Sequence, residues 1–233
     1  MDRRTFQTSI YNAWDKVQRI NLAETFSNGG SLDVDDDFRD LVLNGESRYE
    51  DIFLLGLRKS HYNFLTSDHS YFQFTWSNED DVRYAFYPNP YIGSSSQHLD
   101  QYKKWYELFT ADLITLDDYL KLVDDVRGQG RKPVLRYENA PSQYKNVAHP
   151  CSHLHIGLHG EDRWPVRRIL SPLAFALIIL RNYYSNNWNT YGEINSTSGL
   201  NILDEEFISE RQSCKLVASE YFSDTEARLF HFN

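Results

Sequence analysis

Cysteine is nearly absent from this chain. Cys151 and Cys214 are the whole supply in 233 residues, so no disulfide framework holds the fold and a reducing, cytoplasmic setting is expected. Long apolar runs are missing too. The longest, Leu173-Ala-Phe-Ala-Leu-Ile-Ile-Leu180, has eight residues against the ~20 of a membrane-spanning helix; it reads as a buried helix, and no membrane partner is expected. The opening Met1-Asp-Arg-Arg-Thr-Phe6 passes straight into amphipathic sequence rather than an apolar secretory core. No phosphate-binding glycine loop, dinucleotide-binding glycine pattern or Cys-x-x-Cys pair is present. Positive charge is scarce as well: 24 Lys and Arg face 33 Asp and Glu, a net charge of −9, which argues against a generic nucleic-acid binder.

Aromatic residues, in contrast, are plentiful, with 16 Tyr, 14 Phe and 5 Trp. Packing in a sheet-containing fold accounts for them, with base stacking as the other use of such side chains. The few basic residues are unevenly spread. Residues 127–168 carry eight (Arg127, Arg131, Lys132, Arg136, Lys145, Arg163, Arg167 and Arg168) against three acids, a local +5, and leave −14 for the rest. The same segment holds four of the eight histidines within eleven residues, His149-Pro-Cys-Ser-His-Leu-His-Ile-Gly-Leu-His159. Histidine changes charge near neutral pH and is the commonest metal ligand, so this cluster is the best pointer to function.

Ile10, Trp14, Val17 and Leu22 stand near helical spacing, predicting a first helix that ends before Asn28-Gly29-Gly30. Helices are also predicted over 35–43, with Asp35-Asp36-Asp37 as an acidic first turn, and over 49–59, 98–109, 116–126 and 172–184. Alternating aromatic stretches predict strands at 71–76 and 82–87 joined by a hairpin loop, and further strands at 133–138 and 152–158. A polar stretch follows over 185–201, the 203–220 segment fits helix or strand, and Ala227-Arg-Leu-Phe-His-Phe232 reads as a last strand. No repeat or linker divides the chain. One α+β domain over 1–233 is expected, an antiparallel or mixed sheet of about five strands packed with helices.

Successive strand residues point to opposite faces. A strand from Ser152 therefore puts His153, His155 and His159 on one face with Gly157, and Ser152, Leu154, Ile156 and Leu158 on an apolar face against the core. On the preceding strand Arg136 and Glu138 share one face and Leu135 and Tyr137 the other; if the two strands pair, Arg136 and Glu138 stand beside the imidazoles. Three readings stay open. His153 and His155 can act as acid and base while Arg136 holds an anion, which suits cleavage of an RNA phosphodiester without a cofactor. His153 and His155 can instead ligate Zn²⁺, with His149, Glu138 or Cys151 as third ligand. Or the histidines are structural groups meeting a protein partner. A nucleophilic Cys151 lacks an oxyanion loop around it.

The block Arg136-Tyr-Glu-Asn-Ala-Pro141, His149–Gly157, Arg163-Trp-Pro-Val166, Pro172 and Ile179-Leu-Arg-Asn-Tyr-Tyr184 resembles a bacterial family known only as domain of unknown function 2290, most strongly over 130–185. That resemblance implies no reaction. Arg136 to Pro141 followed by His153 and His155 also resembles the toxin half of TumE-type toxin–antitoxin pairs, although those toxins carry Asp where Glu138 stands and a histidine where Ser142 stands. This likeness implies a toxin or antiphage-defence component acting on RNA, or a non-catalytic subunit bound to an antitoxin or defence protein. Arg181-Asn-Tyr-Tyr-Ser-Asn186 is similar to the Arg-Asn-x-x-x-His motif of the helical HEPN ribonucleases, with Asn186 in the place of the histidine. The expectation is thus a phosphodiesterase site with His153, His155, Arg136 and Glu138 at its centre and His149, His159, Asn139, Arg163 and Arg181 touching substrate. The zinc alternative uses His149, His153 and His155.

Overall fold

The 71–87 segment folds as its alternation requires. In the computed structural model, which describes residues 1–91, 96–125, 132–158 and 162–230, strands β3 (Tyr71–Asn78) and β4 (Asp81–Tyr87) form an antiparallel hairpin. Around it, in chain order, stand helix α1 (Arg3–Arg19), β1 (Ala23–Phe26), α2 (Asp36–Leu43), α3 (Tyr49–Arg58) and β2 (Phe64–Thr66) before it. After it come α4 (Ser96–Thr110), α5 (Leu116–Asp125), β5 (Leu135–Asn139), β6 (Ser152–Ile156) and β7 (Trp164–Pro165). Helices α6 (Pro172–Tyr183), α7 (Ser185–Tyr191), α8 (Ile202–Ser213) and α9 (Asp224–Phe230) close the chain. Among the described residues the seven strands lie in one sheet in sequence order, each antiparallel to its neighbour.

The fold is α+β as expected, but with seven strands rather than about five. The additional β1, β2 and β7 have four, three and two residues, too short to show alternation. The strand expected over 227–232 is instead helix α9, and residues 231–233 lie outside the described residues. Its start carries a capping box: Ser223 N donates to Glu226 Oε2 at 2.7 Å and Glu226 N to Ser223 Oγ at 3.1 Å. The undecided 203–220 stretch is helix through Ser213, and the polar 185–201 stretch begins with α7. Helix α1 stops before Leu22, because Asn21 takes φ +55° and turns the chain. Asp35 does cap α2, accepting from Phe38 N at 2.9 Å.

The two sheet faces are buried differently. On one face Phe72, Phe74, Tyr84, Phe86, Leu135 and Tyr137 pack with α1 and α6 in the larger core, where Phe6, Ile10, Phe175 and Leu180 are fully buried. On the other face, Leu65, Tyr71, Ala85 and Tyr87 form a second core with Phe38, Phe53, Leu57, Tyr102 and Tyr119 from α2–α5. Tyr71 stacks between Phe53 (5.4 Å) and Tyr87 (5.0 Å). Gly56 is required there: a Cβ would stand 2.2 Å from the Tyr71 hydroxyl. Tyrosine is thus spent largely on packing. No helix among the described residues is long and apolar enough to cross a membrane.

Candidate metal centre

Register carries the second face from apolar to polar within the same strands. Tyr71 pairs with Tyr87 at one end of the hairpin. Two residues on, Gln73 pairs with Ala85, which pairs with Arg136, which pairs with His155. Two further on, Thr75, Arg83, Glu138, His153 and Pro165 form a second rung across five strands. The alternation that sends Phe72, Phe74 and Tyr84 into the larger core therefore puts every one of these polar residues on the other side. Ala85 leaves a gap in the first rung, and a cleft of about 210 Å³ opens there, bordered by Gln73, Thr75, Arg83, Arg136, Glu138 and His155.

At the edge of the cleft, where His155 and Glu138 border it, a nitrogen from each of His153 and His155 and an oxygen of Glu138 lie within 4.8 Å of one another. His153 is fully buried and His155 is 8% exposed. The Nδ1 of His153 stands 2.6 Å from the Pro150 carbonyl and its Nε2 stands 2.9 Å from His155 Nε2. A carbonyl only accepts, so Nδ1 carries the hydrogen, and Nε2 presents its lone pair toward His155. Glu138 is oriented from its far side by Arg83, whose Nε donates to Oε1 at 2.9 Å. Burial raises the Glu138 carboxyl, but the Arg83 hydrogen bond and charge, joined by the two imidazoles, outweigh it and hold it below the ordinary carboxylate range. Burial, reinforced by His155, depresses His153 to about 4. The centre therefore offers a neutral imidazole and a carboxylate.

The other expected residues fall in different places. Arg136 faces the cleft, and its buried Nε has no hydrogen-bond partner among the described residues. His149 packs edge-on against His153 with ring centroids 5.0 Å apart, its buried Nδ1 also without a hydrogen-bond partner among the described residues, but it is outside the group of Glu138, His153 and His155. Asn139 is on the opposite face; it is fully buried and donates to the Asp80 carbonyl, tying β5 to the β3–β4 hairpin. Cys151 is buried too, and burial raises its thiol to about 11, the reverse of an activated nucleophile. Arg181 binds Asp204 of α8 at 2.8 Å, away from the cleft. Arg163 precedes β7 by one residue; extending the register of His153 with Pro165 puts it opposite His155. His159 lies outside the described residues, and β6 ends before it, because Gly157 turns away at φ +94°. That turn carries Leu158 to the second core and leaves Ile156 43% exposed, so the apolar face of this strand is only partly covered.

Among the described residues the basic segment does not gather into one patch. Arg127 and Arg131 lie outside the described residues, Lys132 donates to the Tyr183 carbonyl, and Arg168 donates to the carbonyls of Gln212 and Cys214. Arg83, Gln73 and Thr75 were not foreseen at the site, although the charge at Arg83 interrupting an apolar strand was a visible signal. Larger grooves of about 430 and 650 Å³ lie among α1, α6 and α8, the first beside Ser171 and Glu210, the second beside Leu154, Phe207 and Arg211. Neither borders the histidines. Volume favours those grooves; convergent ligating atoms favour the smaller cleft.

The chain belongs to the family described as uncharacterized conserved protein DUF2290, whose match covers residues 17–233. No curated protein and no solved structure matches it. The match begins within α1 and includes the whole sheet, and with it every residue of both rungs.

Proposed function

We propose that this member of the family is a metal-dependent hydrolase of phosphate esters, holding one divalent ion, Zn²⁺ in the first instance, on Glu138, His153 and His155. The observation that carries this reading is the convergence of three ligating atoms within 4.8 Å at the edge of a cleft lined by Arg136. Metal-bound imidazoles commonly donate their second ring nitrogen to a carbonyl, and ligating carboxylates are themselves hydrogen-bonded. Pro150 and Arg83 supply those two supports to His153 and Glu138. Tetrahedral zinc with Zn–N of about 2.0–2.1 Å separates its nitrogens by about 3.3 Å, a few tenths of an ångström wider than the 2.9 Å between the imidazoles. Loading therefore asks for a small ring movement and for the hydrogen between the two Nε2 atoms to leave.

A divalent ion here would supply Lewis acidity toward the ester and make water nucleophilic at neutral pH. Three protein ligands leave a coordination position open, as hydrolytic zinc sites require. Arg136, on the rung beside His155, would neutralise the phosphoryl oxygens as water adds to phosphorus and the ester oxygen departs with a proton. The cleft is smaller than the ~300–1,000 Å³ of pockets that enclose a whole small molecule, which suits a phosphoryl group with the remainder of the substrate outside. Metal-free acid–base cleavage is less well supported. Two Nε2 atoms 2.9 Å apart and bonded to each other cannot take opposite sides of one phosphate.

The test is elemental analysis and zinc titration of the purified protein, followed by hydrolysis of RNA and of an activated phosphodiester with and without chelator. One equivalent of metal and chelator-sensitive hydrolysis are expected. A protein that takes up no divalent ion, or that hydrolyses equally well in chelator, overturns the reading.

A further inference from the structure

Two unusual features meet on the loop that leads into β6. The Glu226 carboxylate, in the first turn of α9, is completely buried and has no basic partner among the described residues. One oxygen accepts from Ser223 N in the capping box and from the Tyr144 hydroxyl at 3.2 Å. The other accepts from the Val147 amide at 3.1 Å. A charge taken out of water without a counter-ion is costly and must be compensated by such donors, so these bonds are tightly specified. Val147 itself sits at φ +65°, a conformation that strains a β-branched residue by about 1–3 kcal/mol and survives only where the surroundings enforce it.

The loop that Glu226 grips is short and closed. Lys145 and His149 exchange backbone hydrogen bonds at 2.9 and 2.7 Å, and Ser223 Oγ donates to Asn146 Oδ1 at 2.7 Å. The residue after His149 is Pro150, whose carbonyl receives the His153 Nδ1 hydrogen. We propose that Glu226 is a positioning residue: by holding the 144–149 loop it sets where the Pro150 carbonyl stands, and so which nitrogen of His153 is bare toward His155 and Glu138. Its consequence for metal affinity rests on the hydrolase reading above; its consequence for the imidazole does not.

Imidazole ¹⁵N chemical shifts of the metal-free protein report the tautomer directly, and zinc titration reports the affinity. Wild type is expected to show His153 with hydrogen on Nδ1 and a bare Nε2. In Glu226→Ala the pattern is expected to move toward a mixture of both tautomers, with zinc bound about 10–100-fold more weakly, the usual cost of losing an outer support of a ligand. Glu226→Gln keeps the helix cap and one acceptor oxygen, so both readouts are expected to fall between the two. A folded Glu226→Ala with the wild-type ¹⁵N pattern and wild-type affinity overturns the proposal. If that variant does not fold, unchanged readouts in Glu226→Gln do the same. Should wild type bind no metal, the hydrolase reading fails, and the tautomer comparison still decides the role of Glu226.

Discussion

One face of the sheet is two different materials. At the Tyr71–Tyr87 end it is an aromatic core roofed by α2–α5; four residues along the same strands, at Thr75 and Arg83, it is a rung of charge and imidazole. The backbone is the same antiparallel ladder throughout, so the contrast comes from side chains alone. At the aromatic end the rings of Phe53, Tyr71 and Tyr87 pack against one another in the buried core. At the polar end a fully buried His153 and a largely buried Glu138 are expensive groups that a sheet does not need. Local sequence choices that cost stability concentrate where a protein does its work, and this comparison is what singles out the cleft.

The contrast is broken most severely by His155→Ala. Zinc stoichiometry is expected to fall from one to near zero and hydrolysis by at least about 100-fold, while loss of the partner of His153 Nε2 costs only about 1–3 kcal/mol; retained zinc binding in a folded variant would show that the polar rungs are not a metal centre. Next comes Phe53→Ala under the aromatic roof, expected to cost about 3–5 kcal/mol in urea unfolding while leaving zinc affinity of the folded protein within experimental error. A parallel fall in affinity would mean that the two ends are one cooperative unit. Removing bound zinc with chelator should lower stability by about 2.7 kcal/mol relative to free zinc at 100 times its dissociation constant, visible as a shift of the thermal midpoint.

The smallest effect concerns the helix cap over the aromatic end. The Lys59 hydrogen bond, followed by the Phe38 amide, holds Asp35 below its ordinary value of 3.8. A depressed folded-state value means the carboxylate stabilises fully above the unfolded value and loses that contribution as pH falls through the folded one. Asp35→Asn should therefore lower the melting temperature slightly at pH 6, and the difference should shrink as pH drops below 3.8 and vanish below the depressed folded-state value; a constant difference at all pH values would assign the effect to the cap geometry rather than to charge.

The polar end was more legible from sequence than the ends of the chain. Alternation in 135–138 and 152–156 puts Arg136, Glu138, His153 and His155 on one face, and the register pairs them as that pattern requires. Arg83 needed one further strand pairing, which no local pattern supplies. That Glu138 rather than His149 stands with His153 and His155 is likewise set by register, since His149 stands on the loop outside the strand. Ala227–Phe232 has the aromatic content of a strand, but the Ser223-to-Glu226 capping box just before it was the competing signal, and helix won. The short β1, β2 and β7 are held by neighbours rather than by propensity, so nothing in their own residues announces them.

Strand order that follows chain order has a consequence for how the centre comes into being. Arg83, Glu138 and His153 stand on three consecutive strands, and Arg136 with His155 on the last two. Two successive closures, β4 onto β5 and β5 onto β6, are enough to bring them together. Each closure joins neighbours in sequence, for which the entropic cost of the loop grows only slowly with its length. The α4–α5 excursion inside the first of those closures can thus vary in length at little cost to the assembly of the rungs, which makes the roof of this face the part of the fold freest to change while Arg83, Arg136, Glu138, His153 and His155 stay in register.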